Sequence, residues 1–201
     1  MNWNDISIRQ YNDIKQIFLE PDFSDEDRII LLINILFGVD ALKLKTTELN
    51  GYVNQLKFLS TNPPKMKLKD KYRLGENWYI LKKDLKDFKV CQWIDFQNFL
   101  KNGSDTDNYA NLLSVFFLPE NQTEYGEYDV ESVRQDINNH LSIADASSLA
   151  AFFLTYRRAL LIRSLLYTRK KVLKTSITKE QKKKIKKEFR KLIWKTIFRG
   201  V

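Results

Sequence analysis

Ser24-Asp-Glu-Asp-Arg28-Ile-Ile-Leu-Leu-Ile-Asn-Ile-Leu-Phe37-Gly38 is the stretch that decides the fold. Ser24 is a helix N-cap, and the three acids after it suit the positive end of a helix dipole. Residues 28–37 are apolar on nearly every face, which predicts a central core helix. Gly38 supplies the stop. A chain with such a helix near its start is organised around helix packing.

The pattern continues outward on both sides. Upstream, Ser7 and Gln10 form a capping box, Ile14, Ile17 and Phe18 follow at helical spacing, and Pro21 ends the segment. Downstream, Thr46 or Thr47 opens a third helix with Leu49, Tyr52, Val53, Leu56 and Leu59 on one stripe, and Asn62-Pro63-Pro64 closes it. Residues 66–74 then alternate polar and apolar, Gly75-Glu76-Asn77 turns, and Trp78-Tyr-Ile-Leu81 resumes. That is a β-hairpin with a lysine-rich edge. Helices are expected again over 88–100 and 106–118, the second ended by Pro119. An acidic loop follows at 120–129. Asp129 caps a short helix to residue 139, Ser142 with Asp145 caps a long one from 143 to about 168, and Thr178 with Gln181 caps the last. The expected fold class is mostly α: a helical domain with one β-hairpin insertion near 66–81 and a basic C-terminal helical arm.

Charge divides the chain. Residues 157–201 hold seventeen Lys/Arg against Glu180 and Glu188 and net +15; the whole chain nets +9, so residues 1–156 net −6. The expected domains are therefore an acidic helical body, 1–156, and a basic helical arm, 157–201. In the last helix Ile185, Phe189, Leu192, Ile193 and Ile197 fall on one face, and Lys182, Lys183, Lys186, Lys187, Arg190 and Lys191 on the other. Those six cations are the candidate partner- or phosphate-binding residues. Three readings of them stand side by side: a solvated side of a packed helix, a surface docking onto acidic protein (a partner or another copy of this chain), and contact with nucleic-acid backbone. Membrane binding is not expected, because the apolar face brings one Trp and one or two Phe and nothing else calls for a bilayer.

No catalytic set emerges. His140 is the only histidine, and it reads as a helix-end or surface residue. Cys91, the only cysteine, reads as a half-buried small hydrophobe and excludes an internal disulfide. The six glycines form no phosphate-cradling loop. Pro21-Asp22, with Asp84-Leu-Lys86 or Asp87-Phe-Lys89, mimics the pattern of metal-dependent nucleases, but such short matches are cheap in a lysine-rich chain and the elements do not form a sheet centre. The acids at 22–27 lack the glycine of a calcium loop. Tyr125, Tyr128 and the tryptophans at 3, 78, 93 and 194 are scattered, which suggests no base-stacking platform. No catalytic residue, metal or cofactor is expected. The absence of a signal segment and of any apolar run approaching a bilayer span leads to the expectation of a soluble intracellular protein.

Several stretches taken together resemble a known group. Trp3 through Tyr11 leads into Asp13-Ile14, Phe37-Gly38-Val39-Asp40 closes the apolar helix, residues 49–59 and the hairpin run into Trp93-Ile-Asp-Phe96, and Ser147 through Phe153 follows. This succession, over about residues 1–155, resembles the small virion-morphogenesis, tail-assembly-chaperone-like proteins of tailed phages of Bacteroidetes. The resemblance implies a non-enzymatic virion or assembly protein working through contacts with other phage structural proteins or as an oligomer. It would act in the host cytoplasm during assembly or in the particle. No active-site residues carry over, and the basic arm lies outside the pattern.

Overall fold

The computed structural model describes residues 1–103, 105–173 and 178–198, without the side chains of Lys179, Ile197 and Phe198. Eight α-helices and a small antiparallel sheet are present among them: a mostly α fold with an inserted β-hairpin. The chain divides into two compact units, Met1–Ala150 and Ala151–Val201. The division falls at 150/151, not at the charge boundary of 156.

In the first unit, the starts of α1, α2, α3 and α6 follow from local caps, whereas the residue before α4, Lys89, makes no side-chain cap. Ahead of α1 (Ile8–Leu19), Ser7 Oγ accepts from Gln10 N at 3.2 Å and Gln10 Oε1 accepts from Ser7 N at 3.1 Å. Ser24 and Asp27 repeat the exchange ahead of α2 (Asp25–Phe37). Gly38 ends α2 at φ 66, a left-handed conformation that any Cβ would strain. Only Leu32, Ile33 and Leu36 of α2 are fully buried; Ile29, Ile30, Leu31, Ile35 and Phe37 are partly covered. The helix is thus seated on the core by one face, with its flanks covered, and is not enclosed all round. α3 (Thr46–Gln55) starts where Glu48 Oε2 accepts from Lys45 N at 2.8 Å, and passes into a 3₁₀ turn at Leu56–Ser60. Trp3, Ile6, Ile14, Ile17, Leu32, Ile33 and Leu56 form one cluster with Ile143 and Ala144. Trp3 packs edge-on to Phe58, ring centroids 5.1 Å apart, and its indole N–H donates to Thr61 Oγ1 at 3.2 Å.

The hairpin pairs β1 (Lys71–Leu74) with β2 (Asn77–Leu81), Leu74 opposite Asn77, so the loop is Gly75-Glu76 alone. Residues 66–70 lie outside the strand. Gly75 has φ 60, the positive value that a two-residue hairpin turn requires at its first position. Space for a side chain is also tight there: a Cβ would lie 3.1 Å from His140 Nε2, so the imidazole would have to give by a few tenths of an ångström. Tyr72, Leu74, Tyr79 and Leu81 are buried, while Lys71 and Arg73 keep the β1 edge exposed and charged.

The single helix expected over 106–118 is absent. A 3₁₀ turn at Thr106–Asn108 leads into a short α5 (Tyr109–Ser114), and Phe117–Pro119 forms β3, antiparallel to β2. The hairpin is therefore two strands of a sheet ordered β1-β2-β3. Val115-Phe-Phe-Leu118 is apolar on every side and buried throughout. A run of that kind suits a helix or a doubly buried strand equally, and the unpaired edge of β2 decides between them. Lys82 N donates to Phe116 O at 2.8 Å, and Glu120 N to Trp78 O at 2.9 Å. Phe116 meets Phe88 and Phe96, both at 5.2 Å, beneath α4 (Val90–Lys101). α6 (Val130–His140), capped by Asp129, buries Val133 and Ile137.

α7 (Ile143–Leu173) begins in the first unit, where Asp145 N donates to Ser142 Oγ at 3.1 Å. Its start is tied to that of α1: Ile143 N donates to Ile6 O at 2.8 Å and Ile8 N to Leu141 O at 3.2 Å. It runs to Leu173, past the expected end near 168, and its 31 residues make roughly 46 Å of helix. In the second unit, α8 (Lys179–Phe198) is capped by Thr178, whose Oγ1 accepts from Gln181 N at 3.2 Å while Gln181 Oε1 accepts from Thr178 N at 2.9 Å. The break expected at Thr175-Ser176 lies outside the described residues.

Candidate binding face on the C-terminal helix

The geometry of α8 follows from its burial pattern. Lys182, Ile185, Phe189 and Ile193 are half-buried and Thr196 is buried, a sequence of steps of three and four residues that traces one stripe of a helix. Thr196 satisfies its hydroxyl by donating to Leu192 O at 3.0 Å. Lys183, Lys184, Lys186, Lys187, Arg190, Lys191 and Lys195 are exposed. Five of the six cations named from sequence therefore point outward. Lys182 does not; it belongs to the covered stripe. Leu192, expected on the apolar face, is 46% exposed, and Ile197 has no described side chain.

Trp194 departs furthest from expectation. It is 56% exposed, and at about 100° per residue it lies almost directly above Lys183, Lys187 and Arg190, opposite the covered stripe. It lines a shallow hollow with Arg190, Lys191 and Lys195. Sequence reasoning missed Trp194, Lys184 and Lys195, although the four-residue step from Arg190 to Trp194 is enough to place both on one face.

Electrostatically this face is crowded. Lys183 and Lys187 stand one turn apart, as do Lys187 and Lys191, and like charges at that spacing repel. The lysine run also occupies the first turns of the helix, whose dipole is positive there. Lys191 pairs with Glu188 at 3.3 Å, with both side chains more than half exposed. A bound anion would relieve this repulsion.

Elsewhere, several polar groups are engaged within the fold. Lys83 pairs with Asp70 at 2.5 Å and Lys89 pairs with Glu124. Tyr79 OH donates to Asp136 Oδ2 at 2.6 Å, and Tyr125 OH to Asp95 Oδ2 at 2.9 Å. Burial, followed by those carboxylates, raises both phenols above their ordinary range. Tyr128 OH donates to Phe117 O at 3.1 Å, and burial pushes it up to about 12. These hydroxyls are structural donors. Asp84 Oδ1 accepts from Lys86 N at 3.0 Å as the cap of a 3₁₀ turn, and Asp22 lies between α1 and α2. Among the described residues, no three His, Cys, Asp or Glu side chains come together in a way that could hold a metal ion. Cys91 is exposed, not half-buried, because it falls on the outer side of α4, away from Phe96. His140 is exposed at the end of α6.

Comparison with protein-family models, with curated proteins and with solved structures gave no match to any of them. Among the described residues no helix is long and apolar enough to cross a membrane.

Proposed function

We propose that this protein is a non-enzymatic component of a macromolecular assembly, in which the Met1–Ala150 unit is a scaffold and the outward face of α8 docks an anionic partner. The observation that carries this reading is the row of seven exposed cations on one helix, in a chain whose first 156 residues are net acidic. Electrostatic complementarity of that kind sets association rate and partner choice. The sequence resemblance supports assembly of a tailed-phage particle as the setting. The partners would then be phage structural proteins or the acidic body of a second copy, in the host cytoplasm or in the particle.

Mass spectrometry of purified particles and of assembly intermediates tests this reading. We expect the chain at a fixed ratio to structural proteins in one or both. Its absence from both overturns the phage setting. A nucleic-acid partner is the second reading, favoured by the same exposed cations, which would pair with backbone phosphates.

A further inference from the structure

Several polar side chains of the Met1–Ala150 unit have partners within it, but a group beside the hairpin turn does not. We propose that the hollow at that turn binds a neutral saccharide, stacked on Trp78 and held through its hydroxyls by Glu76, Asn121, Gln122 and Ser132. The site is independent of the docking face on α8.

The hollow measures about 470 Å³, inside the usual range for small-ligand sites of roughly 300–1,000 Å³. It lies between the end of the hairpin, the loop after β3 and the first turn of α6. Its walls are fixed. Asp136 Oδ2 on α6 accepts from Asn77 Nδ2 at 2.8 Å and from Tyr79 OH at 2.6 Å. Glu120 N donates to Trp78 O at 2.9 Å, and Gln122 N to Pro119 O at 2.9 Å, in the turn that brings Asn121 and Gln122 to the hollow. Trp78 is 48% exposed there, and its ring meets no other aromatic ring or cation among the described residues. The side chains of Glu76, Asn121, Gln122 and Ser132 also line it and make no hydrogen bond or ion pair among the described residues.

A pyranose ring has an apolar C–H face and a rim of hydroxyls, each both donor and acceptor. An open indole suits the first, because it covers that face without burying a polar group. Amides beside a carboxylate suit the second, since amides donate and accept while carboxylates accept only. Charge argues against an anion: the charged residues lining the hollow are Glu76, Glu120 and Asp129. Glu120 is already paired with Lys71, and Asp129 Oδ1 accepts from Glu131 N at 3.0 Å. A cationic peptide would therefore meet one carboxylate without a partner and leave the amide N–H groups unused. A proline-rich peptide would bring carbonyl acceptors and no proline N–H, so Glu76 would have no donor to meet.

The test uses the full chain, Trp78→Ala, Trp78→Tyr and the combined Asn121→Ala, Gln122→Ala variant, each checked by thermal unfolding. All are applied to a glycan array of neutral hexose and N-acetylhexosamine oligosaccharides, beside sialylated and sulfated ones. The strongest neutral binder is then titrated by calorimetry, with trilysine and hexaproline as comparison ligands. We expect a neutral glycan to bind, with Trp78→Ala weakening it about tenfold, the loss of roughly 60 Å² of apolar contact. Trp78→Tyr should weaken it much less, because the ring is kept. The loop variant, which leaves the strand untouched, should also weaken it and decides the matter if Trp78→Ala does not fold.

Failure to bind any neutral glycan overturns the inference. So does equal binding by the wild type and the loop variant, or by the wild type and a folded Trp78→Ala. Tighter binding of charged glycans, trilysine or hexaproline than of the neutral glycan overturns it as well. None of these results touches the docking reading of α8, whose cations the variants leave in place.

Discussion

The buried aromatic cluster of Met1–Ala150 and the cation face of α8 use aromatic and charged side chains in opposite ways. In Met1–Ala150, Phe96, Phe116 and Phe117 are buried, their rings meeting neighbours at 5.2–6.3 Å. Cations there reach acids far along the chain: Lys15 to Asp107, Lys69 to Asp145, Lys71 to Glu120. On α8, Trp194 stands exposed at the centre of a cation face, where the one ion pair among described residues is the local Lys191–Glu188 contact. A region whose polar groups are engaged inside the fold has little left with which to bind. A region whose polar groups face water gains little stability from them, because exposed pairs contribute at most about 1 kcal/mol. Stability and binding should therefore separate along the chain.

The largest effect belongs to the core. Phe116, fully buried against Phe88 and Phe96, should cost about 3–5 kcal/mol on replacement by alanine, from lost transfer energy and the cavity left behind. Urea unfolding of Phe116→Ala would show the midpoint shift. A loss under 1 kcal/mol would mean that this unit is not held by its aromatic cluster.

A smaller effect should appear with pH. Tyr79, Tyr125 and Tyr128 have raised pKa values, Tyr128 at about 12, above the unfolded value near 10. A group raised by folding contributes stability that is complete below pH 10 and is lost as pH climbs through its folded value. The Tm should fall between pH 10 and 12, and absorbance titration should find these three the last of the nine tyrosines to ionise. A titration with all nine phenols ionising together near pH 10 would contradict the burial described for them.

What could be read in the sequence was what neighbouring residues decide. Ser7 with Gln10, Ser24 with Asp27, Asp129, Ser142 with Asp145 and Thr178 with Gln181 each fix a helix start through a bond spanning two or three residues, so each was legible. β3 was not. Residues 115–118 carry no period, and they become a strand only because β2 offers an edge nearly forty residues earlier in the chain. Gly75 was legible as a turn, but the nearness of His140 was not, since it depends on the end of α6 lying beside the turn. On α8 the cation face was legible from spacing. Leu192 was misplaced because it lies at the boundary of the stripe, where a helix-period reading assigns sides least sharply; Lys182 was misplaced because its charge outweighed its position, about 20° from both Phe189 and Ile193 on the helix. Trp194 was missed because an aromatic ring was expected to seek cover.

The separation of binding from stability is tested most directly by one variant of the full chain, Lys183→Gln, Lys187→Gln, Arg190→Gln and Lys191→Gln combined. The measurement is the salt concentration at which it elutes from heparin, taken beside its thermal unfolding. We expect elution at clearly lower salt than the wild type with an unchanged Tm, because all four side chains face water. Elution at the wild-type salt concentration, or a collapse of the fold, would contradict the assignment of binding to this face.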